Sequence, residues 1–197
     1  DEPLKPHGVA KHSSKPSLCA LGLDFLDQAS GSWNAVGLFL DPGKENPEIP
    51  ADVEFDMRME FRFHDTTEHV AGYLPPVMSD IASWIEFLKI QKCGGESTVL
   101  AICHRGLSRS IAATAIAHAL YYPREIEMLP GFLRLVNEMA WPNHLMLEYA
   151  DELIGLGGKL LDAGSRTRLE TARRHPSFFR QVSRRLRARE VAEITRV

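Results

Sequence analysis

Residues 97–122 read STVLAICHRGLSRSIAATAIAHALYY, and this stretch constrains the fold more than any other. Its first half, STVLAIC, is a short apolar run preceded by Gly94-Gly95, the pattern of a strand buried on both faces. From Ile111 to Tyr121 the chain is almost wholly alanine and isoleucine, a helix that can approach a sheet closely, and Pro123 ends it. A buried strand, a loop of a few residues and a close-packed helix is the unit of α/β proteins. The expected fold is therefore α/β: a central twisted sheet of about four to five strands flanked by helices, with a loop between the central strand and a helix N-terminus.

The rest of the chain supplies the other elements. CALGLDFLDQA (19–29) groups Leu21, Leu23, Phe25 and Leu26 and predicts a short helix, and AVGLFL (35–40) is a buried strand stopped by Asp-Pro-Gly. FDMRMEFRF (55–63) alternates strictly, a strand with one wet face. A polar loop from His64 to Pro76 leads into a helix over about 77–91, with Ile81, Trp84, Ile85 and Leu88 on one face and Ser79 or Asp80 placed near its start as a cap. Further helices are expected at 125–139 and 144–155, the second closed by Gly157-Gly158. Residues 1–17 form an irregular lead-in. The body is placed at 1–163 and a basic helical extension at 164–197.

Charge separates those two parts. Residues 165–197 hold ten arginines against three glutamates, a charge of +7, so a chain of net charge −3 carries −10 elsewhere. Such an arm can bind an anionic partner, or it can lie as a solvated helix on its own acidic body; Phe179, Val182 and Leu186 at helical spacing favour the second. No apolar run approaches the roughly 20 residues of a membrane span, and no basic-then-apolar leader is present. Three cysteines (Cys19, Cys93, Cys103) match neither a disulfide framework nor a zinc site. A reduced, cytoplasmic protein is expected.

The loop CHRGLSR has a chemistry of its own. A strand-to-helix loop turns backbone N–H groups inward and adds the positive end of the helix dipole, which makes an anion site. Gly106 lets the backbone turn, and Arg109 supplies a permanently charged fork that fits two phosphate oxygens. At the mouth of such a cradle the thiolate of Cys103 is favoured over the thiol. A nucleophile facing a bound oxyanion is the arrangement for phosphoryl transfer through a thiophosphate.

Cys103-x5-Arg109-Ser110, running from strand to helix, resembles the signature of the cysteine-dependent protein tyrosine phosphatases, and Gly106-Leu107-Ser108-Arg109-Ser110 is most similar to the dual-specificity branch and small bacterial tyrosine phosphatases. The resemblance covers about residues 35–160. It implies that Cys103 is the nucleophile, that Arg109 binds phosphate, and that the backbone of His104, Arg105, Gly106, Leu107, Ser108 and Arg109 forms the cradle. Ser110 would donate to the thiolate and help it leave. The general acid of that family sits on a loop after the preceding strand; Asp65, 38 residues before Cys103, holds that place, with Asp80 as rival. Trp141-Pro142-Asn143 resembles the family's Pro-Asn segment, where the Asn braces the phosphate loop, so Asn143 is expected behind the site. No metal or cofactor is expected, because loop amides and Arg109 supply the charge.

Two departures stand out. Ile102 occupies the position where the family usually has a buried histidine, and His104 and Arg105 make a basic rim suited to acidic or multiply phosphorylated substrates unless both point to solvent. Cys93 is a candidate resolving thiol for oxidised Cys103. The implied activity is hydrolysis of phosphotyrosine, with phosphoserine and phosphothreonine open, on a phosphorylated protein or peptide. Phosphoinositides and polynucleotide 5′-phosphates are alternative substrates for the same loop, and a non-catalytic phosphate-binding scaffold is the alternative of another class. The low-molecular-weight phosphatase pattern does not fit, since it places the motif near the chain start with a later Asp-Pro, whereas the chain's Asp-Pro lies upstream at 41–42.

Overall fold

Four strands form one sheet: β1 (Ser17–Gly22), β2 (Gly31–Leu40), β3 (Val53–Arg62) and β4 (Thr98–Cys103). Their order is β1-β4-β2-β3 and every pairing is parallel. The structure, a computed structural model, describes residues 17–91, 97–183 and 187–195. The expected lead-in (1–17, of which only Ser17 is described), Cys93, Gly94-Gly95, Arg184, Arg185, Leu186 and Arg196 otherwise lie outside the described residues. Because all four strands run the same way, their C-terminal ends meet at one edge, where open parallel sheets bind ligands. Gly22, Asp41, Phe63 and Cys103 are the residues found there.

Helices cover one face: α1 (Met78–Gln91), α2 (Arg109–Tyr121), α3 (Leu129–Val136), α4 (His144–Ile154) and α5 (Lys159–Arg174), followed by α6 (Pro176–Val182) and α7 (Ala188–Thr195). Alternate residues of β4 serve two cores. Val99, Ala101 and Cys103 join the helix side, while Leu100 and Ile102 join a smaller cluster with Leu21, Trp33 and Leu38 on the other face. In the larger core Phe61 stacks on Phe39 with centroids 4.9 Å apart, and Trp84 meets both rings edge-on. Trp84 Nε1 donates to Ala113 O at 3.2 Å and so ties α1 to α2. Each such buried side chain contributes about 1.5–3 kcal/mol through burial.

Three expectations differ from the structure. Residues 19–29 are not a helix: β1 occupies 17–22 and a 3₁₀ turn Leu23–Gln28 follows. Leu18 and Ala20 face one core and Cys19 and Leu21 the other, so a strand buried on both faces shows no alternation to read. The helix expected at 125–139 is a 3₁₀ turn (Pro123–Met128) and then α3, which begins around Pro130 and ends where Asn137 turns extended (φ −153, ψ 120). On β3 the alternation is real, yet Phe55 is 38% and Met57 45% exposed, because this is the edge strand and only Val53 at its start and Phe61 near its end are buried.

The division expected after residue 163 lies inside α5, whose Thr167, Arg168 and Thr171 are buried. Arginines of the basic arm pair with carboxylates: Arg166 with Glu127 and Asp162, Arg168 with Glu193, and Arg189 with Glu148. Arg166 and Arg189 thus tie the arm to carboxylates of the body, Arg168 pairs with Glu193 of the arm itself, and Arg173, Arg174 and Arg180 are exposed. Among the described residues no helix is long and apolar enough to cross a membrane.

Candidate active site

A cleft of about 510 Å³ opens at the C-terminal edge of the sheet, with Cys103 in its lining. Two glycines allow the loop after β4 to lie against the end of β1. Gly106 has φ +68, a left-handed conformation, and a Cβ there would come within 2.5 Å of Gly22 N. A Cβ on Gly22 would in turn meet the Arg105 carbonyl carbon at 2.8 Å. The loop is therefore seated by backbone-to-backbone contact that tolerates no side chain.

Cys103 Sγ lies 3.1 Å from Ser110 Oγ in the first turn of α2. Arg109 is 3% exposed, and its Nη1 donates to Asp41 Oδ1 at 2.8 Å and to Phe63 O at 2.7 Å. Its Nε is buried with no partner. A buried, unpaired guanidinium N–H is costly unless something fills the cleft and accepts from it. An oxyanion over Cys103 would do so, and the N-terminal N–H groups of α2 face the same charge.

Ile102 is fully buried on the sheet face opposite the thiol, where it packs with Leu21 and Leu38. It offers the thiol no hydrogen bond, so Ser110 is the neighbour that does. His104 and Arg105 both line the cleft. The Nε2 of His104 stands 3.4 Å from both the backbone N and Oδ2 of Asp41. Burial lowers the His104 pKa, with Asp41 opposing and Arg109 adding to the shift.

Asp65 lines the cleft, but its carboxylate is already engaged. Oδ1 accepts from Ser108 Oγ at 2.8 Å and Asn143 Nδ2 at 3.1 Å, and it pairs with Arg187 Nη2 at 2.5 Å. Burial pushes its pKa up; Arg187, then Arg109, and the bonds from Asn143 and Ser108 more than reverse that and hold it well below the usual carboxylate range. The side chain remains 29% exposed. Asp80, the rival, caps α1 by accepting from Val77 N at 3.0 Å and is not among the cleft residues.

The brace behind the phosphate loop is a different asparagine from the one expected. Asn137 Nδ2 donates to Gly106 O at 2.9 Å. Asn143 instead caps α4 by accepting from Met146 N, and its amide reaches Asp65 and Thr66 O, so it holds the acid loop. The reason is local: Asn137 breaks from α3 beside the loop, whereas Asn143 is committed to a helix N-terminus.

Arg187 has no counterpart in the sequence reading. It stands just before α7, is 4% exposed, and its Nη2 donates to Ser108 Oγ at 2.8 Å. Nη1 pairs with Glu190 at 2.8 Å. Burial works against the Arg187 charge, but Asp65 and Glu190 outweigh it and keep the side chain ionised. Phe178, Val182 and Trp141 complete that wall of the cleft. The one signal available beforehand was that Arg187 lies in an arm with helical apolar spacing, which does not single it out from nine other arginines.

No protein-family model matches the chain, and no curated protein matches it. Solved structures that resemble the chain at low identity include the following three. Human DUSP28 is 14% identical, covering 70% of this chain and 94% of its own, with a TM-score of 0.47. The Yvh1 phosphatase domain from Chaetomium thermophilum is 11% identical over 77% of this chain and 97% of its own, at 0.49. PTPMT1, solved in complex with PI(5)P, is 17% identical over 77% of this chain and 94% of its own, at 0.44.

Proposed function

We propose that the chain is a cysteine-dependent phosphatase that hydrolyses phosphomonoesters, phosphotyrosine among them, through a cysteinyl-phosphate. The observation that carries this reading is Arg109: a buried guanidinium fixed by Asp41 and Phe63 O that lines the same cleft as Cys103. An oxyanion is the partner that geometry calls for.

In the first step the Cys103 thiolate attacks phosphorus and the bond to the ester oxygen breaks, the oxygen departing as the anion or taking a proton from water. Arg109 and the start of α2 hold the three remaining oxygens. Water then attacks phosphorus, inorganic phosphate leaves, and Ser110 donates to the sulfur as it departs as thiolate.

The test is hydrolysis of p-nitrophenyl phosphate with EDTA present, by wild type and Cys103→Ser, with acid quench to trap a phosphorylated protein. Turnover that Cys103→Ser abolishes, with label on the wild type, is the expected result. Phosphate bound without turnover would make the chain a binding module and overturn the reading, as would activity that survives Cys103→Ser. A panel of phosphopeptides, phosphoinositides and 5′-phosphorylated oligonucleotides then assigns the substrate.

A further inference from the structure

Three chain segments converge on one carboxylate. Asp65 comes from the loop after β3, Ser108 from the phosphate loop, and Arg187 from the start of α7, 122 residues after Asp65. Arg187 Nη2 touches Ser108 Oγ at 2.8 Å and Asp65 Oδ1 at 2.5 Å, and reaches Asp65 O at 3.4 Å. Its other nitrogen is held by Glu190, which is fully buried and also accepts from Trp141 Nε1 and His144 N. The guanidinium is thus fixed from behind and aimed at the acid loop.

We propose, resting on the phosphatase reading above, that Arg187 is a positioning residue that ties the Asp65 carboxylate to the phosphate loop and withholds it from proton donation, so that the chain acts best on phosphomonoesters whose leaving oxygen departs without a proton. Aryl phosphates are of this kind, since a phenol ionises near pH 10, far below an aliphatic alcohol. Phosphotyrosine is then favoured over phosphoserine by the leaving group. The groups facing Asp65 agree in sign. Arg187 and Arg109 are cationic, and Asn143 and Ser108 both donate. His104 stands in its field, Asp41 is occupied by Arg109, and Glu190 is occupied by Arg187. On its own loop Glu68 is turned to Arg189 N at 3.3 Å. Nothing among these supports a proton on Asp65.

The test has two readouts. First, the Asp65 carboxyl carbon is followed by NMR against pH in the inactive Cys103→Ser protein, with Arg187 intact, as Arg187→Lys, and as Arg187→Gln paired with Glu190→Gln so that no buried charge is left alone. Asp65 is expected to stay ionised to the lowest pH at which the protein remains folded when residue 187 is Arg or Lys, and to titrate at clearly higher pH in the neutral pair. Second, kcat/KM is measured between pH 4.5 and 7 on an aryl and an alkyl phosphate with Cys103 intact. The neutral pair should raise the alkyl-to-aryl rate ratio about tenfold at the acid end, a part of the roughly 10²–10⁴ a general acid supplies, and adding Asp65→Asn should remove the gain. An Asp65 titration that ignores residue 187, or a rate ratio that does not move in a folded active variant, overturns the proposal. If the titration shifts as expected while no variant turns over, the phosphatase reading fails instead.

Discussion

Trp141 donates its indole N–H to Glu190 at 2.7 Å, across 49 residues of chain, and neither side chain meets solvent. The contact explains how a basic arm becomes part of a cleft. Trp141 N also donates to Leu107 O at 2.8 Å, so the residue that receives α7 on one side backs the phosphate loop on the other. Thr171 Oγ1 donates to Ala140 O and Arg168 Nη1 to Pro142 O, which fixes the same segment from α5.

Glu190→Ala should destabilise the fold by about 3–5 kcal/mol, because buried Arg187 keeps only Asp65 as a charge partner while Trp141 Nε1 and His144 N lose their buried acceptor. Urea unfolding followed by tryptophan emission measures this. A loss under about 1 kcal/mol would mean that the α7 contact contributes little.

Asn137→Ala and Asn143→Ala should fail differently. The first leaves Gly106 O without its buried donor, a loss of about 1–3 kcal/mol, and should weaken inorganic phosphate binding. The second frees the Asp65 loop and should leave phosphate binding within about threefold of wild type. Calorimetric titration with phosphate, backed by thermal melts, separates them.

Gly106→Ala should abolish phosphate binding, since its Cβ would collide with the Gly22 backbone at 2.5 Å as well as sit at φ +68. Gly43→Ala is the control: φ is +75, but nothing lies within 4 Å, so only the left-handed cost of about 1–2 kcal/mol applies. Equal effects in melting and binding would show that the close approach to β1 is unimportant.

Acid should loosen the arm before it unfolds the sheet. Burial raises the Glu193 pKa, but the bond from His144 and the charge of Arg168 bring it from 4.5 down to about 2. A folded-state pKa below the unfolded one means the stabilisation is complete above about pH 4.5 and is lost as pH falls toward 2. Glu193 is 32% exposed, so the contribution is about 1 kcal/mol. Melting temperature against pH should fall through this window in the wild type and less steeply in Glu193→Gln.

The parts of this layout that were legible in the sequence were those carried by local pattern. Strict alternation marked β3, a short apolar run marked β4, and alanine density marked α2, because each pattern is complete within a few neighbouring residues. β1 was not legible, since its two buried faces erase the period that separates strand from helix. The resemblance of Cys103-x5-Arg109-Ser110 to a family signature pointed to those three residues, and to Asp65 through its place after β3. It pointed to neither Asn137 nor Arg187, because each acts through a contact that the fold makes: Asn137 through a carbonyl 31 residues away, Arg187 through a hydroxyl 79 residues away. No periodicity encodes such pairs.

That last distance bears on how the protein acquires its chemistry. β4 and α2 set Cys103 and Arg109 close together in sequence, and Asn137 and Trp141, which hold the loop between them, follow soon after α2. Closing the loop from Ser108 to Arg187 is a separate, slower search, and it decides the charge state of the acid. A chain whose α7 had not docked would therefore present the same cleft beside an Asp65 without Arg187, with a different appetite for leaving groups than the folded one.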